Sequence, residues 1–399
     1  MPDTIQTLKH VVETLAPLHR RAGSEAEREA AEWIADRLER AAAPASIDEE
    51  LFYDGYAAQM LPLGAAGAVA GALGTFGKRR LLSFTLGALA AAGIADDASN
   101  GARVWRKRIQ APKTTWNVVA EIGDPSCERT LVVLAHHDAA PTGRVFDPGF
   151  QRWLARRFPD LVERSNTSFP LWWPIAGAPA LAALAALAGR RKLAAMATTL
   201  SALNVALGIE LSRSEVVPGA NDNLSAVAAE VALAERLRNA PVDGVRVLLA
   251  SCGAEEVLQG GIYGFVERRL SHLPRDRTWV LNLDTVGSVG SPAALVMLEG
   301  EGTFKMEDYT DPSFRDLVAT AAERAGVALH RGARARSSTD SVIPSRAGFP
   351  TATIISWEPD TKLLSNYHLM SDTPENLDYE TVAEAVTLTY AVAEELARI

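Results

Sequence analysis

Cysteine is nearly absent from this chain: Cys127 and Cys252 are the only two among 399 residues. At most one disulfide can form, so no disulfide scaffold holds the fold, and the redox compartment stays open. A basic excess is lacking too. The formal net charge is −9 and the isoelectric point lies near 5.4, which argues against a nucleic-acid partner, since that would require a basic face. The opening stretch MPDTIQTLKHVVETL has an acid at Asp3 and no apolar h-region, so a cleaved secretory signal is not expected. What the chain has in quantity is apolar residues, 48 % of the total. That supports a sizeable core, and the length allows one large domain with additions, or two domains.

Periodicity predicts a helical segment over roughly residues 4–41. Ser24 is a plausible N-cap, with Glu27 three residues later as in a capping box, and Ala31, Ile34, Leu38 and Ala41 share one face. Strands are predicted over 115–122, 129–135, 245–251, 278–284 and 351–356. Helices are predicted over 224–238, 313–326 and 379–397, with a helical stretch after Glu256. This alternation predicts a three-layer α/β/α fold around a mostly parallel mixed sheet covered on both faces. No internal repeat is evident in this part.

Two stretches break the alternation. Residues 55–77 carry no charge, then come Lys78, Arg79 and Arg80, then uncharged 81–95. Residues 165–189 are likewise uncharged and are followed by Arg190, Arg191, Lys192 and uncharged 193–209. Each reads as an apolar helical hairpin with a basic tip, inserted into the alternating portion. The expected division is 1–54, 103–140 and 213–399 for the main α/β domain, 55–102 for the first hairpin and 141–212 for the second insertion. The first run of each hairpin exceeds the ~20 residues that span a bilayer. Tyr53, Tyr56, Trp172 and Trp173 stand where an interfacial aromatic belt would sit, and Gly67 and Gly71 form a GxxxG. Association with membrane lipid is therefore expected. The alternative is an Ala-rich soluble hairpin that packs on the main domain or forms a homo-oligomer interface. Orientation stays open, because Arg103, Arg106, Lys107 and Arg108 give the base of the first hairpin a positive excess similar to that of the tips.

Five scattered residues of metal-binding type stand near the ends of apolar runs: His136 in LVVLAHHD, Asp222 in GANDN, Glu256 in ASCGAEE, Asp284 in VLNLD and His368 in SNYHLMSDTPENLD. Two histidines and three carboxylates suit a pair of divalent cations such as zinc. Asp138, two residues after His136, is placed to orient that imidazole. Glu255, beside a ligand, is free to act as a base. Each motif has a plainer reading: a strand-end turn, an N-cap at Asp222, a solvated helix start at Glu255 and Glu256, a cap at Asp284, an ordinary loop histidine. Their coincidence at successive strand ends points to metal-assisted hydrolysis.

The order H-x-D, G-A-N-D-N, G-A-E-E, N-x-D and Y-H, followed by S-D-T-P-E-N-L-D, resembles the di-zinc aminopeptidase family, which also contains glutaminyl cyclases and some carboxypeptidases. The opening RRAGSEAEREAAEWIADRLE and the NVVAEIGDP…TLVVLAHHD pair resemble it as well. The resemblance implies two Zn²⁺ or other divalent cations. His136 and Asp284 would bind one, Glu256 and His368 the other, and Asp222 would bridge them before a cis peptide bond. It implies Glu255 as general base and Tyr367 as donor to the oxyanion. The implied reaction is hydrolysis of the first peptide bond of substrates with a free N-terminus, by a water activated between the metals. The resemblance also leaves room for a glutaminyl cyclase, or for a non-catalytic membrane receptor or scaffold on a peptidase fold. A carboxypeptidase would need a basic pocket, for which Arg334, Arg336 and Arg346 are candidates. Two departures stand out: the long segment between His136 and Asp222, and Ser338-Thr339-Asp340-Ser341 where many members carry S-D-H.

Overall fold

The protein is described by a computed structural model over residues 2–41, 43–77, 79–289 and 295–399. Among the described residues, nine strands form one sheet: β1 (Ala45–Tyr53), β2 (Pro112–Gly123), β3 (Thr130–His136), β4 (Arg246–Cys252), β5 (Thr278–Leu283), β6 (Leu295–Glu301), β7 (Glu307–Asp308), β8 (His330–Ala335) and β9 (Thr351–Ser356). Their order is β1-β2-β4-β3-β5-β9-β6-β7, with β8 also paired to β6. The centre, β4-β3-β5-β9, is parallel, as its uninterrupted apolar sequences predict. The flanks differ: β1, β2, β7 and the β6–β9 pair run antiparallel. β1, β6, β7 and β8 lie outside the strands expected from pattern. The sequences of β1, β7 and β8, such as ASIDEELFY and HRGARA, are broken by charge because they lie at the sheet's edges, whereas β6 opens on a buried apolar LVML run.

The opening helical segment is two helices, α1 (Pro2–Leu15) and α2 (Glu25–Arg40). Pro17 cannot continue α1, and the intervening turn carries Arg20 into the interior. Half of the expected capping box forms. Ser24 Oγ accepts from Glu27 N–H at 3.2 Å, but the Glu27 carboxylate reaches Gly23 N–H (2.7 Å), Thr115 Oγ1 (2.9 Å) and Ala254 N–H (2.8 Å) instead of the Ser24 N–H.

The first insertion forms α3 (Tyr56–Thr75) and α4 (Arg80–Ala98), and α5 (Val104–Ile109) follows it. The second forms α6 (Gly149–Arg157), α7 (Pro159–Arg164), α8 (Trp172–Leu187) and α9 (Arg191–Arg213). The helix lengths reverse the expectation for the second hairpin. Pro170 delays the start of α8, which has 16 residues, while the partner run extends past Ile209 to make α9 the longest of the four at 23 residues. Helices α3, α4, α8 and α9 pack on one another, so the two insertions build a single four-helix bundle. The seam between α3 and α9 needs small residues: a methyl at Gly67 would lie 2.9 Å from Ser201 Oγ, and one at Gly71 2.5 Å from Thr198 Oγ1. Both hairpin tips are at one end, where a Cβ on Gly77 would meet Arg191 and one on Gly189 would meet Arg80. Lys78, expected in the first tip, and the side chain of Tyr56, expected in the aromatic belt, lie outside the described residues.

The base of the first hairpin is not the free positive patch its sequence suggests. Arg106 is fully buried and forms a two-pronged ion pair with Asp97 at 2.8 and 2.9 Å. It also donates to Tyr53 O and Val257 O at 2.7 Å each. Arg103, also buried, donates to Leu258 O. These arginines bolt the hairpin to the loop after β4, because a buried guanidinium is costly unless it meets acceptors there.

The remaining helices are α10 (Leu224–Asn239), α11 (Ile262–Phe265), α12 (Pro312–Ala325), α13 (Val342–Arg346) and α14 (Tyr379–Arg398). One face of the sheet, including Leu131, Val133 and Leu281, packs on α1, α2, α10, α12 and α14 through Val12, Ile34, Val227, Phe314 and Val386. The alternate residues Val132, Leu134 and Val280 pack on the other face against Phe265, Leu270 and Ile343. This is the expected three-layer α/β/α arrangement. Both cysteines are free.

Candidate metal centre

Three adjacent parallel strands end at one level. β3 lies between β4 and β5. His136 pairs with Cys252 and Leu134 with Asn282, so Asp284, two residues past Asn282, is level with His136. With strands about 4.8 Å apart, residues remote in sequence meet here. After β4 the chain makes a short 3-10 turn, Glu255–Val257, bracketed by left-handed Ala254 (φ 55°) and Leu258 (φ 68°). Neither is glycine, and non-glycine residues held in this region cluster at functional sites. Asp222 enters from the turn before α10, where the Asp222–Asn223 peptide is cis. His368 enters from the loop before α14.

The five residues form two overlapping groups. Ligand atoms of His136, Asp222 and Asp284 all lie within 4.8 Å of one another, and so do those of Asp222, Glu256 and His368. Asp222 belongs to both. Its Oδ1 is 3.3 Å from His136 Nε2 and its Oδ2 is 3.2 Å from His368 Nε2, which is 3.1 Å from Glu256 Oε2. Yet His368 Nε2 and Glu256 Oε1 are buried without a hydrogen-bond partner. Donor atoms that converge on common points and leave buried lone pairs unused suit cations, and two imidazoles with three carboxylates are a donor set for zinc.

A rigid shell holds these groups. Asp138 accepts from the backbone N–H of Glu255 (2.9 Å) and of Glu256 (3.0 Å), and its Oδ1 is 3.4 Å from His136 Nδ1. One buried carboxylate thus orients the end of β3 and the turn after β4 together. Asp372, in the S-D-T-P-E-N-L-D run but given no role from sequence, does the same for the third loop. It accepts from Asn221 N–H at 2.8 Å and from Asp222 N–H at 3.1 Å. Arg20 is buried and donates to the carbonyls of His137 (2.8 Å) and Pro218 (2.9 Å), joining the two loops that carry His136 and Asp222.

Glu255 lies beside the ligands, with Oε2 3.9 Å from His136 Nε2. Its Oε1 accepts from Gln259 Nε2 at 2.6 Å. Asn100, at the end of the first hairpin, donates to Gln259 Oε1 at 2.5 Å and to Ser338 Oγ at 2.9 Å. An inserted element therefore supports the candidate base. No signal in the sequence marks Asn100 or Gln259. The second insertion reaches the site through Phe146, whose ring meets that of His368 at 4.3 Å with an edge contact. Tyr367 stacks on His368 at 3.9 Å and lines the cleft. Trp172, expected in the aromatic belt, lines the cleft as well.

Burial in a cluster of acids dictates the charges. It pushes Glu255 well above the ordinary carboxylate range, opposed by His136 and reinforced by Asp340, Glu256 and Asp284. It lifts Glu256 to about 7, opposed by His368, and raises Asp284. Asp222 moves the other way: the burial penalty is overcome by the close approach of the His136 and His368 imidazoles, so it stays ionised. Burial disfavours charge on His368, but Glu256 and Asp222 hold its pKa up at about 10. Asp340 is a further buried acid whose oxygens have no hydrogen-bond partner. The cluster as a whole demands positive charge, which divalent ions supply.

The arginines considered for a carboxylate pocket are engaged elsewhere. Arg334 borders the cleft but pairs with Asp308 at 2.8 Å. Arg346 pairs with Glu307 at 2.9 Å, and the guanidinium of Arg336 lies 5.4 Å from the centroid of the Trp173 ring.

Residues 206–393 match the model of peptidase family M28. The resemblance read from the motifs is thereby shown. Asp222, Glu256, Asp284 and His368 lie inside the match, and His136 lies before it, across the second insertion. No curated protein matches the chain significantly. Solved structures similar to it include a Zn-dependent exopeptidase from Parabacteroides distasonis (15 % identity, TM-score 0.55, covering 98 % of this chain and 97 % of that one). A glutaminyl cyclase from Bacteroides thetaiotaomicron is also similar (13 %, 0.57, 98 % and 97 %), as is an aminopeptidase from Aneurinibacillus sp. strain AM-1 (15 %, 0.56, 97 % and 92 %). At such identities the likeness is one of fold. The family match and the donor clusters support a metal-dependent peptidase.

Proposed function

We propose that this chain is an exopeptidase using two zinc ions, an aminopeptidase that hydrolyses the N-terminal peptide bond of substrates with a free amine. The observation that carries the reading is the pair of donor groups sharing Asp222, with Glu255 beside them and an open cleft above. His136 and Asp284 would hold one ion, Glu256 and His368 the other, and Asp222 both. The ions would polarise the scissile carbonyl and bring the pKa of water toward ~7. Glu255 takes the proton of the attacking water and returns it to the leaving amine. Gln259 pins one of its oxygens, which leaves the other for the proton. Tyr367 donates to the oxyanion, and Asp138 keeps His136 and the Glu255–Glu256 turn in register.

Purified protein is assayed on free and N-acetylated aminoacyl amides, with and without chelator. Cleavage of only the free amine, lost on chelation, supports the reading. Glu255→Gln is expected to lose about 10²–10⁴-fold in turnover at unchanged metal content, and full activity in that variant would defeat the mechanism. Because glutaminyl cyclases share the fold, ammonia release from a Gln-peptide tests that alternative.

The bundle we place in a membrane. Between the tips and the base its helices carry no charge, yet Leu81, Phe76, Leu89 and Leu184 are 75, 72, 64 and 63 % exposed. Small residues fill the seams and large apolar ones face outward, the arrangement of helices packed in lipid. Two of the four, α4 and α9, are long and apolar enough to cross a bilayer by length and composition. Retention in the pellet after a carbonate wash is expected, and release into the soluble fraction would remove the spanning interpretation.

A further inference from the structure

The cleft above the metal ligands is small, about 110 Å³. A cavity of about 560 Å³ adjoins it, and both are bordered by Ser168, Trp172, Ser337, Lys362, Leu364 and Tyr367. The larger space lies between the second insertion and the loop that carries Lys362 and Tyr367. Ile175 and Ala178 of α8 and Leu200, Leu203 and Leu207 of α9 form one wall, and Phe146 lies on the side of the metal ligands. No acid lines it. Its cations are engaged: Arg152 with Glu358 at 3.5 Å, Lys362 with the carbonyls of Glu163 and Ser165 at 2.8 and 2.6 Å, and Arg336 over Trp173.

The size decides between two uses. A cavity of about 150 Å³ is enough for a benzene-sized group, so a pocket for one natural side chain would need a fraction of this space. Pockets that take a whole drug-sized ligand measure roughly 300–1,000 Å³. We propose that this chamber receives a long apolar chain carried by the substrate, so that the metal centre acts on lipid-like aminoacyl amides in addition to ordinary peptides. The inference rests on the hydrolase reading above. The step is the same: water adds across the amide, the C–N bond breaks, and a carboxylate and an ammonium leave. The chamber's outer wall is the apolar bundle itself, so a chain leaving a bilayer stays on apolar surface until it meets the cleft.

The test uses the zinc-loaded full chain. Straight-chain alkanehydroxamates, from two to ten carbons, are titrated by calorimetry as metal-anchored probes, so the readout does not depend on turnover. Affinity is expected to climb about fourfold per methylene at least to eight carbons. Gly177, on α8, lines the chamber, and a Cβ there meets nothing within 4 Å. Gly177→Phe is expected to fill the space and flatten the ratio of long-chain to two-carbon affinity. Leu207→Gln serves as a second variant, with the same flattening expected. A plateau at four carbons, or a gain untouched by both variants, overturns the proposal. Two substrate series then locate the chain: leucine n-alkylamides place it on the leaving amine, and 2-aminoalkanoyl amides place it on the N-terminal residue. A rise in kcat/KM with length in either series supports the proposal. Short amides cleaved with no gain in any series sink the chamber and leave the peptidase reading intact. A hydroxamate gain with no amide cleaved at any length supports the chamber and sinks the peptidase reading.

Discussion

Replacing Asp138 by asparagine conserves shape and removes one acceptor. In the native protein both carboxylate oxygens accept backbone N–H bonds, from Glu255 at 2.9 Å and from Glu256 at 3.0 Å. Asparagine can satisfy one, and its amide nitrogen then points a donor at a second donor. A hydrogen bond to a charged acceptor contributes about 1.5–3 kcal/mol, and a buried unsatisfied N–H costs about 1–3 kcal/mol. The turn that carries the candidate base and one ligand therefore loosens by about 3 kcal/mol or more. Asp138 also faces His136 Nδ1 at 3.4 Å, and losing an outer partner of this type lowers metal affinity about 10–100-fold. Competition against a chromogenic chelator measures zinc affinity in wild type and Asp138→Asn, with kcat/KM followed alongside. A variant that holds zinc within twofold of wild type and keeps its kcat/KM would refute the claim that this carboxylate organises the site.

Other outcomes follow from the same contacts. Gln259→Leu removes the donor to Glu255 Oε1 and breaks the link to Asn100. Turnover is expected to fall about tenfold, the loss of about 1.4 kcal/mol of positioning, while zinc content holds; an unchanged kcat would contradict the positioning role. Glu230, in α10, is buried with one oxygen bonded to Ala250 N–H at 3.1 Å and the other unpartnered, and burial pushes its pKa well above the ordinary value. Because the folded state favours the protonated acid, its contribution is fully present below the unfolded pKa near 4.5 and is lost as pH rises through the folded value. Glu230→Gln should thus be more stable than wild type in urea at pH 8 and similar at pH 4, and equal stability at both would contradict the assignment.

Much of the catalytic half is legible in sequence because its physics is local. An uninterrupted apolar strand that ends in a polar residue, as at His136 and Asp284, announces both a buried parallel strand and a residue at its carboxyl end. The helices over 224–238, 313–326 and 379–397 follow from periodicity and stand within a residue or two of the observed ends. The edge strands are not legible, since half of their residues face water and their pattern is broken by charge. The shell around the candidate ligands is hidden for a different reason. Arg20, Asn100, Gln259 and Asp372 act through contacts fixed by tertiary structure, and a buried arginine looks in sequence like any surface arginine. Asp372 was within reach, because it sits in the run that carries the family resemblance. The hairpins were visible as charge-free segments, but that they join into one bundle depends on the Gly67 and Gly71 seam meeting α9, a pairing between separate insertions that no local pattern encodes.

Asp222 is the side chain common to both donor groups, so its removal isolates the central claim. Metal content of the purified chain, measured by elemental analysis in wild type and Asp222→Ala, is expected to be about two zinc per chain and close to none, respectively. A variant that folds, yet retains the wild-type metal complement, would contradict a centre built around one shared carboxylate.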